Sequence, residues 1–275
     1  MAPTNLDAHY PALSSLAQAQ PRPLTLRQIG QMCAGEGPSG PHRGLPGLAD
    51  CCRDVLAGIP RHGDCDAYGY LATLDACVRQ LPIDHPARQS TWSKISGDGR
   101  SFLDAVAAAA WVVQLWAVDL AARPDEPFPQ PSTAAADLVV SLDDGPYWLD
   151  ALGIDYAPNA FYGLPADGRA AVPDPTRAEL LDELGELVIK RYDRKFREAV
   201  TGGSLAGQSV GVLVCLAHAD DGVVRQLIAA QPPAELFSPD MPGLDLVWVH
   251  SLRASRHSDI LEPVTLLEWM RPKVR

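Results

Sequence analysis

The sequence predicts an α/β protein, α+β over the whole chain, in which an N-terminal helical domain precedes a C-terminal α/β domain with a mostly parallel sheet. Three observations predict it. Residues 25–122 carry helical spacing and helix punctuation. The run from Arg123 to Pro131 then places four Pro in nine residues, which neither a helix interior nor a central strand accepts. Beyond it, two apolar runs, Val210–Ala217 and Leu246–Val249, flank a short amphipathic segment, the pattern of strand, helix and strand. The expected divisions are an arm over 1–24, a helical domain over 25–122, a Pro-rich linker over 123–136 and the α/β domain over 137–275.

Taken in order, residues 1–24 hold four Pro among scattered polar residues and read as a loosely ordered arm. Helical signals begin at Thr25 and run to Ala34, ended by Gly35 and a Gly/Pro-rich loop reaching Gly47. Leu48–Ile59 and Asp64–Leu81 follow as two more helices, the second with Tyr68, Leu71, Leu74 and Val78 at helical spacing. Ser101–Ala122 is apolar nearly all round and opens on a Ser101/Asp104 pair with the form of a capping box, so a buried central helix is expected. After the prolines, Asp137–Leu142 reads as a strand closed by Asp143-Asp144-Gly145. The stretch from there to Pro175 reads as loop, with Tyr147, Trp148, Tyr156, Phe161 and Tyr162 in it.

Thr176 and Glu179 form a second capping box, and Leu180, Leu184, Leu187, Val188, Tyr192 and Phe196 carry one amphipathic helix to about Val200. Arg191, Arg194, Lys195 and Arg197 crowd its last turns, where cations offset the helix dipole and a solvated face is expected. The strand from Val210 is apolar at every position, as for a strand covered on both faces. Asp220 or Asp221 caps the next helix, and the strand–helix–strand spacing implies a right-handed crossover with parallel pairing. Pro263 confines any strand in the tail to an edge.

Composition bounds the function. Hydrophobic residues make 47% and charged residues 21% of the chain, values that exclude disordered and coiled-coil classes for its bulk. The net charge of −11 disfavours an extended nucleic-acid footprint or attachment to an anionic membrane surface, both of which need clustered cations. The first residues have neither a basic region nor an apolar run of a secretory signal, so a cytoplasmic protein is expected. The six Cys, at 33, 51, 52, 65, 77 and 215, are then thiols or metal ligands before they are disulfides. His62 with Cys65 and Cys51, Cys52 or Cys77 is the cluster nearest to a zinc shell, although Cys65 and Cys77 also fit a helical pattern as small apolar residues.

Ligands in open parallel sheets bind outside the carboxyl ends of the strands. Three expected strands end in polar groups: Asp143 and Asp144 after the first, His218, Asp220 and Asp221 after the second, and His250 after the third. With the strands adjacent and parallel, these groups converge on one rim. Asp143, Asp144 and Asp220 are the candidate ligands of a divalent metal such as Mg²⁺, Mn²⁺ or Zn²⁺, and His218, His250 and Asp221 the candidate catalytic groups. Gly202-Gly-Ser204-Leu-Ala-Gly207 departs from a nucleophile elbow in having Ala206 at the second Gly and in leading from helix to strand.

Two function classes follow. One is a metal- or acid/base-dependent hydrolase with its site on the carboxyl rim. The other is a non-catalytic accessory, immunity or regulatory protein that binds another protein through the aromatics between 147 and 162.

Overall fold

The computed structural model describes residues 5–32, 47–58, 67–97, 99–130, 132, 134–142, 145–155, 177–217, 230–233, 235–254 and 259–271. The chain forms two compact units: Met1–Asp119 with Leu252–Pro263, and Leu120–Ser251 with Val264–Arg275.

The first unit is helical, with α1 (Leu6–His9), α2 (Pro11–Gln18), α3 (Leu26–Met32), α4 (Leu48–Ala57), α5 (Ala67–Gln80), α6 (Pro86–Ile95) and α7 (Gly99–Ala117). Helices α3, α4, α5 and α7 lie where periodicity predicts them. The arm expected over 1–24 is different: α1 and α2 occupy it, with Leu6, Tyr10, Leu13 and Ala17 buried at helical spacing. What holds α2 comes from far along the chain. Tyr10 gives it no side-chain cap, but the buried Asp75 carboxylate of α5 accepts hydrogen bonds from the amides of Ala12 (2.8 Å) and Leu13 (3.0 Å). Asp75 thus serves as an N-cap contributed by another helix. Asp75→Ala should cost about 1–2 kcal/mol, with the Ala12 and Leu13 amides losing hydrogen-exchange protection first. Protection equal to wild type at those two amides would contradict the cap.

Helix α6 was not legible from apolar spacing; it starts on Pro86 at its first position, with the His85 ring accepting from the Ala87 amide at 3.1 Å. Helix α7 is buried on most of its faces and packs against α5 and α6. Among the described residues no helix is long and apolar enough to cross a membrane. The 252–263 segment joins this unit through α5. The Leu261 amide donates to Thr73 Oγ1 at 2.8 Å, and a Cβ at Gly69 would stand 2.6 Å from Leu261 Cδ2, so a larger residue there would displace the Leu261 side chain.

The second unit is built on a six-stranded sheet in chain order: β1 (Ala122–Pro124), β2 (Leu138–Leu142), β3 (Gly145–Asp155), β4 (Ser209–Ala217), β5 (Leu244–Ala254) and β6 (Leu261–Met270). The sheet is mixed, which corrects the expected mostly parallel one: β1, β2 and β3 are antiparallel neighbours, and β3, β4 and β5 are parallel. The reason is connection length. Leu142 pairs with Gly145, and so short a link can join only antiparallel strands, whereas the long connections after β3 and β4 leave room for crossovers. Strand β3 was expected as loop. Its residues Tyr147–Leu152 are all buried, so no alternation of polar and apolar residues marks it. Pro124 and Pro263 fall in β1 and β6, the two edge strands, where a missing N–H breaks no inner ladder.

One face of this sheet is covered by α8 (Arg177–Lys195), continued by α9 (Arg197–Val200). Leu180, Leu184, Val188, Tyr192 and Phe196 recur every fourth residue and share one core with Trp148, Leu152, Val212, Val214, Val247 and Val249. Each such side chain contributes about 1.5–3 kcal/mol by leaving water. The Pro-rich stretch expected as a linker packs into the same core. Phe128 is buried, edge-on to Trp148 and stacked on Phe196, with ring centroids 5.8 Å apart in both pairs.

Candidate functional site

On β3 the side chains facing α8 run Trp148, Asp150, Leu152, so a carboxylate stands in an apolar row. Leu138 pairs with Leu149, which makes Asp137 and Asp150 the next opposed residues of the β2–β3 ladder. Both are buried, Asp150 completely. Two cations on successive turns of α8 answer them. Arg191 Nε donates to Asp150 Oδ2 and its Nη2 donates to the Ala151 carbonyl at 2.6 Å, while Asp137 Oδ2 lies 3.6 Å from Nη2 and accepts from the Ala151 amide at 2.9 Å. Lys195 Nζ lies 3.1 Å from Asp150 Oδ1, an ion pair whose approach is too oblique to count as a hydrogen bond. The four formal charges cancel.

Burial pushes the Asp150 carboxyl up to about 7; the neighbouring Asp137 charge and hydrogen bond push the same way, and Arg191 and Lys195 only partly oppose them. A carboxyl that titrates near neutrality is suited to proton transfer. It connects to the surface through Lys195, whose side chain is 26% exposed. Lys195 lines a cleft of about 480 Å³ together with Phe128, Arg194, Glu198, Gly203 and Ser204. The cleft wall is set by the loop after α9. Gly202 takes φ +119, and a Cβ at Gly203 would stand 2.7 Å from the Glu198 carbonyl oxygen, so both glycines are required for the loop to turn back on α9. The Leu205 amide then reaches the Ala199 carbonyl at 2.8 Å, and Ser204 Oγ is buried without a hydrogen-bond partner.

This arrangement corrects the solvated face expected at the end of α8. Arg194 is exposed, and Arg197 pairs with Asp193 at 2.6 Å as a surface residue would, but Arg191 is 8% exposed and points inward. Arg191 and Lys195 each precede a core aromatic, Tyr192 and Phe196, and so border the buried stripe. Asp150 carries no sequence signal while 145–155 reads as loop. Once 145–155 is a strand, period-two counting puts Asp150 between Trp148 and Leu152 on the inward face.

The expected rim fares differently. Strand β2 runs against β3, β4 and β5, so its carboxyl end, Leu142, lies where β3 and β4 begin. The premise that put Asp143 and Asp144 with the other strand ends does not hold for β2. In its place β3 supplies the third parallel strand, ending with Asp155 paired to Ala217. Strands β3, β4 and β5 also follow chain order without reversal, so the sheet has no switch point of the kind that opens a ligand crevice. Asp143, Asp144, His218, Asp220 and Asp221 lie outside the described residues. His250 is described: it pairs in register with Cys215, is fully buried, and burial pushes its imidazole down to about 3, which keeps it neutral.

Of the expected zinc cluster, Cys51, Cys52 and Cys77 are buried, and His62 and Cys65 lie outside the described residues. Among the described residues no group of three His, Cys, Asp or Glu is placed to hold a metal ion. Of the aromatics expected at a protein interface, Tyr147 and Trp148 are core residues, and Tyr156, Phe161 and Tyr162 lie outside the described residues. No family model, curated protein or solved structure shows significant similarity to the chain.

Proposed function

We propose that this chain is an acid/base-dependent enzyme of hydrolytic class that works at the cleft beside Lys195. The observation that carries the reading is the link between a buried titratable pair and an open cleft: the Lys195 ammonium lies 3.1 Å from Asp150 and lines the 480 Å³ space. Clefts of about 300–1,000 Å³ suit small ligands. In this reading Lys195 is the catalytic residue, placing its positive charge against the oxygen on which negative charge develops. Asp150, Asp137 and Arg191 are positioning residues. They fix the Lys195 side chain, and the proton gained or lost by the carboxyl pair near neutral pH sets the field that the ammonium presents to the cleft.

The test is hydrolysis of chromogenic esters, phosphoesters, glycosides and amides by the purified protein, followed as kcat/KM against pH. Lys195→Met should lower kcat/KM for the accepted class about a hundredfold or more. Asp150→Asn should remove the inflection near pH 7 while far-UV circular dichroism stays unchanged. Turnover unaffected by Lys195→Met, or no turnover of any class, would overturn the proposal.

A further inference from the structure

Resting on the reading just given, we infer that the ligand of the cleft is a small zwitterion, an α-amino acid or the end of a short peptide, held by Arg194 through its carboxylate and by Glu198 through its ammonium.

The lining pairs opposite charges over an apolar base. Arg194 and Glu198 stand one turn apart on the α8–α9 segment, both exposed and both lining the cleft. Their neighbours are already engaged: Asp193 with Arg197 at 2.6 Å, and Lys195 with Asp150 at 3.1 Å. Among the described residues Arg194 and Glu198 have no ion pair or side-chain hydrogen bond, although i, i+4 spacing would let them reach each other. Two opposite charges left open on one cleft wall match a ligand carrying both signs. An anion would be repelled by Glu198 and a cation by Arg194. Ala134 and Ala199, which also line the cleft above the buried Phe128, offer the apolar contact that an amino-acid side chain or a peptide methylene would cover.

A second observation also points to a ligand. Ser204 Oγ is buried in the wall without a partner, and a buried hydroxyl left unbonded is costly, so it gains from a polar group brought against the loop. A ligand carboxylate held at Arg194 brings an acceptor into the same cleft.

The experiment is calorimetric titration of the full chain with three probes of similar shape: leucine, 3-methylbutylamine, which lacks the carboxylate, and 4-methylpentanoate, which lacks the ammonium. Leucine should bind at least about tenfold more tightly than either, since each lost partner is a charge-assisted hydrogen bond. Arg194→Ala should abolish the preference over the amine and leave the preference over the acid. Glu198→Ala should do the reverse. Equal affinity for the three probes, no binding of leucine, or preferences unmoved by both substitutions would overturn the inference. The enzymatic reading is judged separately by Lys195→Met. Turnover that depends on Lys195 without a preference for zwitterions would sink the ligand class and leave the catalytic site standing.

Discussion

Arg191→Met should destabilise the second unit by about 3–5 kcal/mol, the usual cost of stripping one partner from a buried ion cluster. Two acceptors lose a donor and a third group loses an ion-pair partner at once. Asp150 loses the Nε bond, the Ala151 carbonyl loses its 2.6 Å bond, and Asp137 loses the guanidinium at 3.6 Å. Lys195 still faces Asp150 and the Ala151 amide still donates to Asp137, but one cation then stands beside two buried carboxylates. Arg191→Lys should recover only part of the loss, because a single ammonium cannot span Asp150, Asp137 and a carbonyl as the planar fork does. Replacing the cluster together, Asp137→Asn, Asp150→Asn and Arg191→Met, should recover more than Arg191→Lys, since no uncompensated carboxylate is then buried. Urea unfolding followed by tryptophan fluorescence measures all three. A loss below about 1 kcal/mol for Arg191→Met would mean that the cluster is solvated.

Stability between about pH 4 and pH 6.5 should be nearly independent of pH in the wild type, because two buried groups of the second unit oppose each other. Asp150 is raised from 3.8 to about 7, so the folded state holds the proton longer than the unfolded one. Its contribution is full below 3.8 and is lost as pH rises toward 7, roughly 4 kcal/mol over that window. His250 is lowered from 6.5 to about 3, so the unfolded state takes the proton first. Its contribution is full above 6.5 and is lost as pH falls toward 3, by a similar amount. Each substitution should expose the other slope. Asp150→Asn should leave stability rising with pH from 4 to 6.5 by about 3 kcal/mol, and His250→Gln should leave it falling over the same window. The measurement is urea unfolding at half-unit pH steps. Parallel pH profiles for wild type and both variants would show that neither group is buried as described.

The parts of the fold legible in the sequence are those whose signal is local. Helices α3, α4, α5 and α7 and the long α8 follow from apolar spacing and punctuation, and β4 follows from an unbroken apolar run. Elements whose support comes from elsewhere were not legible. Helix α2 is capped by Asp75, more than sixty residues away, and β3 is covered on both faces, so its sequence lacks the alternation that betrays a strand. The candidate site shows the same division. His250 was singled out as a strand-end residue and is a buried neutral one. Asp150, Arg191 and Lys195 were passed over because an acid in an unread strand and two cations in a crowd of four carry no pattern until they are paired.

By itself, then, the sequence determined that this is an acidic chain with helices first and a sheet after, broken near the prolines at 123–131, with the α8 stripe and β4 as core. Apolar periodicity and the refusal of proline are properties of neighbouring residues, and nothing distant is needed to read them. The tertiary structure alone decided strand direction, which turned β2 against its neighbours and separated its end from those of β4 and β5. It alone decided which charges are buried together. A carboxylate's partner, its desolvation and hence its pKa depend on residues brought close across the fold, so the raised pKa of Asp150 exists only once β3 lies under α8.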